Sequence, residues 1–182
     1  MLELKKGRPE DFDSRTDSEK AVYEFLDNLK IEYERLDHEP AFTMEICREI
    51  DKSLGALICK NLFLTNRQKT DFYLLMMPDD KIFKTKELSK ALGVSRLSFG
   101  EADKMLELLN TTPGSASVMG LLFDKENKVR LCIDEDVLKE EYFGCHPCVN
   151  TSSLKIKVND LKEKILPALK HNFTEVKLLG AE

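Results

Sequence analysis

The chain has 182 residues, of which 42% are hydrophobic and 34% are charged, a balance that suits one soluble domain with a substantial core. Its net charge of −5 argues against sequence-independent binding to a nucleic-acid backbone, which requires a basic surface, so DNA is not expected as a partner. No apolar run approaches the roughly 20 residues of a membrane span, and no secretion signal is recognisable. We therefore expect one cytoplasmic domain, residues 1–182, that does not bind membranes.

The first third of the chain predicts a helix, a strand and a second helix. Thr16 and Glu19 have capping-box spacing at the start of a helix over 17–29, which carries one apolar face. Alternation predicts a short strand over 31–36. A short helix over 43–50 is expected to follow.

The middle of the chain predicts a hairpin and two helices. Apolar runs at 56–65 and 71–77 flank a polar loop, as two hairpin strands would. A helix over 86–92 ends at a glycine, and a strand at 96–99 precedes a helix over 101–109.

The last third begins at a turn, Pro113-Gly114, and contains an irregular stretch at 144–151. Its other predicted elements are strands 117–123 and 128–133, a helix 136–142, a strand 153–158, a helix after Asn159 and a strand near 173–179. Hairpins outnumber crossovers and there is no steady β-α-β alternation. The pattern therefore favours an α+β fold with a curved, mixed or antiparallel sheet.

A lysine and an asparagine interrupt an otherwise apolar strand at residues 58–64, Ile-Cys-Lys-Asn-Leu-Phe-Leu. Burying a cation costs several kcal/mol unless it is paired. Lys60 either extends its ammonium from the strand end into water or binds something anionic. Its own position in the sequence does not decide between these interpretations.

The stretch Gly144-Cys145-His146-Pro147-Cys148 admits three interpretations. A dithiol oxidoreductase would need Cys145 at a helix N-terminus, and no helix is predicted after it. A zinc site would need a second close pair, and the other cysteines, 47, 59 and 132, are scattered, so no metal or cofactor is expected. Alternatively, Gly144 and Pro147 form a stiff loop that displays His146 to a ligand, or only to water.

Motifs of serine hydrolases and of phosphate-binding loops are absent from the sequence. Ser115 is therefore not expected to be a nucleophile, but the Pro113-Gly114 turn before it could offer backbone N–H groups to an anionic oxygen. The lysines at 81, 84, 86 and 90 are interpreted as a solvated face rather than as an RNA-binding stripe.

Four blocks of residues occur in an order that resembles a known family. They are His38-Glu39-Pro40-Ala41-Phe42-Thr43; Gly55 with Lys60-Asn61-Leu62-Phe63-Leu64; Leu97-Ser98-Phe99 with Pro113-Gly114-Ser115; and Gly144-Cys145-His146-Pro147 with Asn150-Thr151. Over about residues 18–178 the chain resembles the YbaK and prolyl-tRNA synthetase insertion-domain family of trans-editing aminoacyl-tRNA deacylases. Its stand-alone ProX, or PrdX, branch of Ala-tRNA(Pro) deacylases is the most similar.

The resemblance implies a barrel-like α+β fold, the hydrolysis of mischarged tRNA(Pro), and the aminoacylated acceptor end of tRNA as partner, with prolyl-tRNA synthetase as a second one. The implied catalytic residues are Lys60, which would hold the phosphate and ribose of the terminal adenosine, Gly144 and His146. The implied substrate-binding residues are Asn61, Thr43, Pro113, Gly114, Ser115, Pro147 and Asn150.

Two departures from the family pattern concern the amino-acid preference. Where relatives continue Pro-Gly-Ser with Pro-Phe, this chain has Ala116-Ser117, and a larger aliphatic residue is usual at Cys148. The residues also leave room for two other functions: a non-catalytic sensor that binds an amino acid or aminoacyl group, and a thiol-disulfide oxidoreductase that uses Cys145 and Cys148.

Overall fold

A mixed sheet of nine strands organises the computed structural model, which describes residues 2–41 and 43–180. The strands are β1 (Leu4–Lys6), β2 (Tyr33–Asp37), β3 (Leu57–Thr65), β4 (Phe72–Pro78), β5 (Ser98–Phe99), β6 (Val129–Asp134), β7 (Tyr142–Cys145), β8 (Ser152–Lys157) and β9 (Phe173–Val176). Their order is β1-β2-β8-β7-β3-β4-β6-β9, with β5 paired to β3. The predicted α+β class with a mixed sheet is confirmed, and the sheet is open because β1 and β9 lie at its two ends.

The helices are α1 (Asp17–Asn28), α2 (Met44–Leu54), α3 (Thr85–Leu92), α4 (Ala102–Leu109), α5 (Glu135–Leu138), α6 (Val158–Asp160) and α7 (Leu166–Leu169). A π-helical turn, Leu161–Ile165, joins the last two. The predicted cap of α1 is present, since the Thr16 side chain accepts a hydrogen bond from the Glu19 N–H at 3.2 Å. Thr43 caps α2 in the same way. Within the described ranges, no helix combines the length and apolar character needed to cross a bilayer.

Strand β3 places neighbouring side chains against different helices, because side chains alternate between the two faces of a strand. Phe63 belongs to the large core cluster that includes residues of α1 and α4. On the opposite face, Ile58 packs with the cluster of α2, while Leu62 packs with the cluster of α3. Lys60 shares that face and lies between Ile58 and Leu62 in sequence. The fold therefore puts Lys60 between the apolar clusters of α2 and α3, and Asn61 on the other side of the sheet.

Two sequence predictions in the second half of the chain are wrong. Residues Val118–Phe123 form a 3₁₀ helix, not a strand, and the Ser117 hydroxyl caps it by accepting from the Met119 N–H at 3.1 Å. Gly120 allows this helix to approach α4, since a Cβ there would lie 3.0 Å from the backbone O of Leu109. A short apolar run does not distinguish a buried helical segment from a buried strand.

The other error concerns the predicted helix at 136–142. The helix ends at Leu138, and the following residues become strand β7, so Gly144 lies in a strand rather than in an irregular loop. Gly144 is paired on both sides, with Ile58 of β3 and Lys155 of β8. A Cβ at this position would lie 2.6 Å from Leu54 Cδ2, so glycine here permits α2 to pack closely on the sheet. Strand β1 was not predicted at all.

Candidate functional site

A pocket of about 460 Å³ opens where six segments of the chain meet. They are the loop after β2, helix α2, the first half of β3, the turn after β4, the loop at 113–116, and the loop that joins β7 to β8 together with the start of β8. Six of the residues predicted for the site line it: Lys60, Asn61, Pro113, Gly114, His146 and Asn150. The fold thus brings together residues that are up to 90 positions apart in sequence.

Four other predicted residues lie outside the pocket lining. Thr43 caps α2, and its hydroxyl accepts from the Ile46 N–H at 3.2 Å. Ser115 is buried, and its N–H donates to the Thr112 carbonyl at 2.9 Å. Pro147 is buried, and Gly144 lies within β7. These residues shape the segments around the pocket; Phe42, from the first motif block, falls outside the described residues.

The Lys60 ammonium is held by backbone and has no acidic partner among the described residues. It donates to the carbonyl of Lys81, which follows β4. The ammonium of Lys81 itself lies 2.8 Å from carboxylate oxygens of both Asp134 and Asp136, so Lys81 is already paired with two acids and is not available to a ligand. An ammonium has three donors, and only one of those on Lys60 is used. A positive charge with free donors therefore stands at the pocket, as an anion-binding residue requires.

Asn61 presents an unsatisfied acceptor. Its Nδ2 donates to the Cys59 carbonyl at 3.3 Å, while its Oδ1 is buried and has no hydrogen-bond partner in the described chain. A buried acceptor without a partner costs about 1–3 kcal/mol. Asn61 lines the pocket, but its Oδ1 has no exposed surface, so a ligand donor would reach that acceptor only after the side chain reorients.

His146 is a neutral imidazole with one nitrogen available. Its Nδ1 lies 2.8 Å from the Ser152 carbonyl, which only accepts, so Nδ1 carries the proton and Nε2 is the acceptor. Burial, and to a lesser degree the neighbouring His38, lowers the pKa of His146 below its ordinary value. A neutral imidazole with a free Nε2 in a pocket can accept a proton from water or from a hydroxyl.

His38, the second histidine of the pocket, differs in that both its nitrogens are engaged. Its Nδ1 lies 2.9 Å from the Glu39 carbonyl and its Nε2 lies 2.9 Å from the Ser153 hydroxyl. The rings of His38 and His146 are 6.3 Å apart. The sequence named His38 only as part of a motif, and its position beside His146 depends on the pairing of β2 with β8.

The Pro113-Gly114 turn supplies a free backbone donor. Gly114 has a φ of +91°, a left-handed conformation that glycine adopts at little cost. Gly114 is exposed and lines the pocket, and its N–H donates none of the backbone hydrogen bonds of the described residues. A backbone N–H of this kind can stabilise a developing oxyanion.

Two carboxylates in the lining were not predicted. Asp51 of α2 and Asp79, just after β4, both face the pocket. Partial burial, and then the charge of Asp79, raises the pKa of Asp51 above its ordinary value. Each residue stands in a solvated, charged segment of the sequence, so nothing local distinguishes it from other surface acids. Within the described ranges, no group of three His, Cys, Asp or Glu side chains comes together to hold a metal ion.

A sequence model described as the aminoacyl-tRNA editing domain matches residues 38–164, more than half of the chain. The chain belongs to the aminoacyl-tRNA editing domain family. The match contains every one of the six predicted residues that line the pocket. It begins at His38, so it also contains the second pocket histidine.

Two relatives of this editing domain are similar along most of their length. The prolyl-tRNA editing protein ProX of Acetoanaerobium sticklandii is 32% identical over 162 residues, which cover 89% of this chain and 98% of that protein. Prolyl-tRNA synthetase associated domain-containing protein 1 of Danio rerio is 30% identical over 147 residues, which cover 80% and 79% of the two chains. Among solved structures, a proposed trans-editing enzyme for prolyl-tRNA synthetase matches with a TM-score of 0.66. The match covers 91% of this chain and 99% of that one at 14% sequence identity, so it shows that the two share a fold.

The thiols of this editing domain do not form a reactive pair. Cys145 ends strand β7 rather than beginning a helix, and both Cys145 and Cys148 are buried. Burial raises the pKa of Cys145 to about 12 and raises that of Cys148 as well. A nucleophilic dithiol needs the opposite shift, so the oxidoreductase interpretation has no support in the geometry.

Thiol labelling tests this conclusion. Cys47, on α2, is partly exposed, whereas Cys59, Cys132, Cys145 and Cys148 are buried. We expect a disulfide reagent at pH 7 to label about one thiol per native chain rapidly and all of them after unfolding. The Cys47→Ser variant should lose the fast phase. Rapid native labelling of Cys145, or recovery of a Cys145–Cys148 disulfide, would contradict the structural assignment.

Proposed function

We propose that this protein is a trans-editing deacylase that hydrolyses the ester of mischarged tRNA(Pro), with Ala-tRNA(Pro) as the preferred substrate. The observation that carries the proposal is the pocket that joins Lys60, Gly114 and His146 in a chain 32% identical to ProX over 98% of that protein. Its partner would be the aminoacylated acceptor end of tRNA in the cytoplasm, with prolyl-tRNA synthetase as the source of the mischarged substrate.

The pocket supplies what ester hydrolysis needs without a nucleophilic side chain. An aminoacyl ester is already activated, so catalysis requires positioning, oxyanion stabilisation and a base for water. Lys60 would bind the phosphate of the terminal nucleotide, and the free Gly114 N–H would donate to the oxyanion. The Nε2 of His146 would accept the proton of the attacking water or of the neighbouring ribose hydroxyl. Gly144, whose backbone is paired within the sheet, contributes by letting α2 pack behind the pocket.

Substrate selection would depend on size. A synthetase site that fits proline cannot strongly reject the smaller alanine, while a second, smaller site can exclude proline by steric clash. Ala116 lines the pocket, and its small side chain would help to set the space left for the amino acid.

A deacylation assay with a panel of substrates tests the proposal. We expect Ala-tRNA(Pro) to be hydrolysed about tenfold faster or more than Pro-tRNA(Pro), because the added ring atoms of proline clash with the walls. The rates of hydrolysis of Ser-tRNA(Pro) and Cys-tRNA(Pro), compared with that of Ala-tRNA(Pro), give the order of preference among small amino acids. Release of each amino acid is compared with the rate without enzyme. Binding of these substrates with no acceleration of hydrolysis would instead indicate a non-catalytic sensor.

A further inference from the structure

Exposed apolar side chains are concentrated beside helix α3. Four large apolar residues stand out as exposed in the described chain: Ile82, Phe99, Leu106 and Leu179. Ile82 lies three residues before the start of α3, and the Leu179 N–H donates to the carboxylate of Glu87 on that helix. Phe99 is 61% exposed, and its ring meets that of Phe83 edge-on at 5.7 Å. Three of the four exposed residues thus surround one helix.

The ring of Phe99 is exposed on a fixed backbone rather than on a mobile loop. Phe99 pairs with Leu64 in the β3–β5 ladder, and the next N–H, of Gly100, donates to the Phe63 carbonyl at 2.9 Å. A Cβ on Gly100 would lie 2.3 Å from the Phe63 ring, so glycine permits this close approach. An aromatic ring held in this way loses little conformational entropy when a ligand stacks on it.

The same surface is basic in an acidic protein. Lys81 is left out of the count because it is paired with Asp134 and Asp136. Residues 84–96 contain four cations, Lys84, Lys86, Lys90 and Arg96, and one acid, Glu87, so this segment carries +3 while the whole chain carries −5. Lys84, Lys86, Lys90 and Arg96 are exposed, and none of them forms an ion pair within the described residues. Unpaired cations around exposed aromatic rings favour a ligand with negative charge and flat apolar faces.

A hydrogen bond links the segment that carries this surface to the pocket. The ammonium of Lys60, in the pocket lining, donates to the carbonyl of Lys81, and Phe83 follows two residues later. We propose that the aromatic-basic surface, defined as Ile82, Phe83, Phe99, Lys84, Lys86 and Lys90, binds the acceptor arm of the tRNA. Unpaired bases of the 3′ end stack on Phe99, and the lysines contact the adjoining phosphates. Single-stranded RNA ends are recognised in this way, by stacking and by cations along the backbone.

The proposal rests on the proposed function for the identity of the RNA, and it revises the interpretation of these lysines as only a solvated face. The structural reason is that the exposed Phe99 comes from β5, which the sequence does not place beside α3. An acidic chain can bind RNA through one local surface while the rest of the molecule repels it, which confines the acceptor arm to the route that leads to Lys60.

Direct binding to a hairpin RNA that carries no amino acid tests the surface. The probe carries the acceptor stem of tRNA(Pro) and a single-stranded 3′ end in which 2-aminopurine replaces an adenine, so that stacking quenches its fluorescence. We expect Phe99→Ala to raise Kd about tenfold and to remove the quenching, since stacking on an aromatic ring contributes about 1–3 kcal/mol per base. A blunt-ended hairpin should bind Phe99→Ala and the unmodified protein equally.

Charge reversal tests the phosphate contacts. Lys86→Glu/Lys90→Glu is expected to raise Kd about tenfold for both hairpins and to reduce the slope of log K against log salt by about one to two. The controls are Leu106→Ala, which removes an exposed apolar residue from α4, and Lys5→Glu/Lys6→Glu, which makes the same charge change in β1. Both controls should leave Kd within about twofold. An unchanged Kd in Phe99→Ala and in Lys86→Glu/Lys90→Glu would overturn the proposal.

The failure of this proposal and the failure of the proposed function are distinguishable. If the protein deacylates Ala-tRNA(Pro) and the surface variants keep its KM, the function stands and the surface is overturned. If no aminoacyl-tRNA is hydrolysed, the function fails, while the Kd values for the hairpin still test the surface. Loss of binding to prolyl-tRNA synthetase with unchanged RNA affinity would assign the surface to a protein partner and overturn the proposal.

Discussion

Lys60→Ala is expected to lower kcat/KM for Ala-tRNA(Pro) about a hundredfold or more, the largest effect of any single substitution in the pocket. Lys60 is the one lysine or arginine in the pocket lining that the described residues form, and its ammonium donates a hydrogen bond to the Lys81 carbonyl. A charged hydrogen bond to phosphate contributes about 1.5–3 kcal/mol, which corresponds to roughly a tenfold to hundredfold change, and misplacement of the ester adds to it. The measurement is steady-state release of alanine.

Two further variants make this result specific. Lys125→Ala removes an exposed lysine from the loop before β6 and should leave kcat/KM unchanged. Lys60→Arg keeps the charge but not the geometry, and it should recover part of the loss because the guanidinium also binds phosphate. Thermal unfolding of Lys60→Ala should stay close to that of the unmodified protein, since Lys60 forms no ion pair within the described ranges. Turnover of Ala-tRNA(Pro) by Lys60→Ala at the normal rate would refute the assignment of this pocket.

The local patterns of the sequence predicted the regular elements well. The helices at α1, α3 and α4 have caps or apolar periodicity that is visible in the chain, and the β3–β4 hairpin follows from two apolar runs around a polar loop. The segment Val118–Phe123 was mistaken for a strand because its apolar residues form a continuous run. Its 3₁₀ form depends on contact with Leu109, a tertiary constraint that a local window does not contain.

The composition of the pocket was predictable only in part. Lys60 and His146 are unusual in their own segments, but the local sequence left their roles open, and only the resemblance to the editing family predicted that both belong to one site; both line the pocket. Asp51 and Asp79 have ordinary polar neighbours in sequence and reach the pocket through the packing of α2 and the end of β4. Gly144 was predicted in a loop at the site, whereas it lies in β7, outside the pocket lining, where glycine permits close packing of α2. The sequence of a single chain does not distinguish a glycine needed for close packing from one needed for a turn.

The pH dependence of hydrolysis is expected to show a low-pH limb that belongs to His146. The pKa of His146 is lowered, so the neutral, proton-accepting form persists as the pH falls through the ordinary imidazole value of about 6.5 and is lost only below it. The rate of enzymatic hydrolysis, corrected for the uncatalysed rate, should therefore hold through about pH 6.5 and fall only at a lower pH, as the pH passes through the lowered pKa of His146. His146→Ala should reduce kcat about a hundredfold and abolish this limb.

His38 provides the matched control, because it lies in the same pocket with both ring nitrogens engaged. If His146 is the base, the His38→Gln variant should keep the fall in rate at low pH, even if the substitution changes KM. A limb that disappears in His38→Gln and persists in His146→Ala would assign the proton transfer to His38 instead. The free energy of unfolding must be measured at the same pH values. His146 in the unfolded chain binds a proton near pH 6.5, whereas native His146 binds it only at a lower pH. The folded state therefore loses stability as the pH falls from about 6.5 through the lowered pKa of native His146. A decline in rate that precedes any loss of the folded state therefore reports the chemistry of His146 and not unfolding.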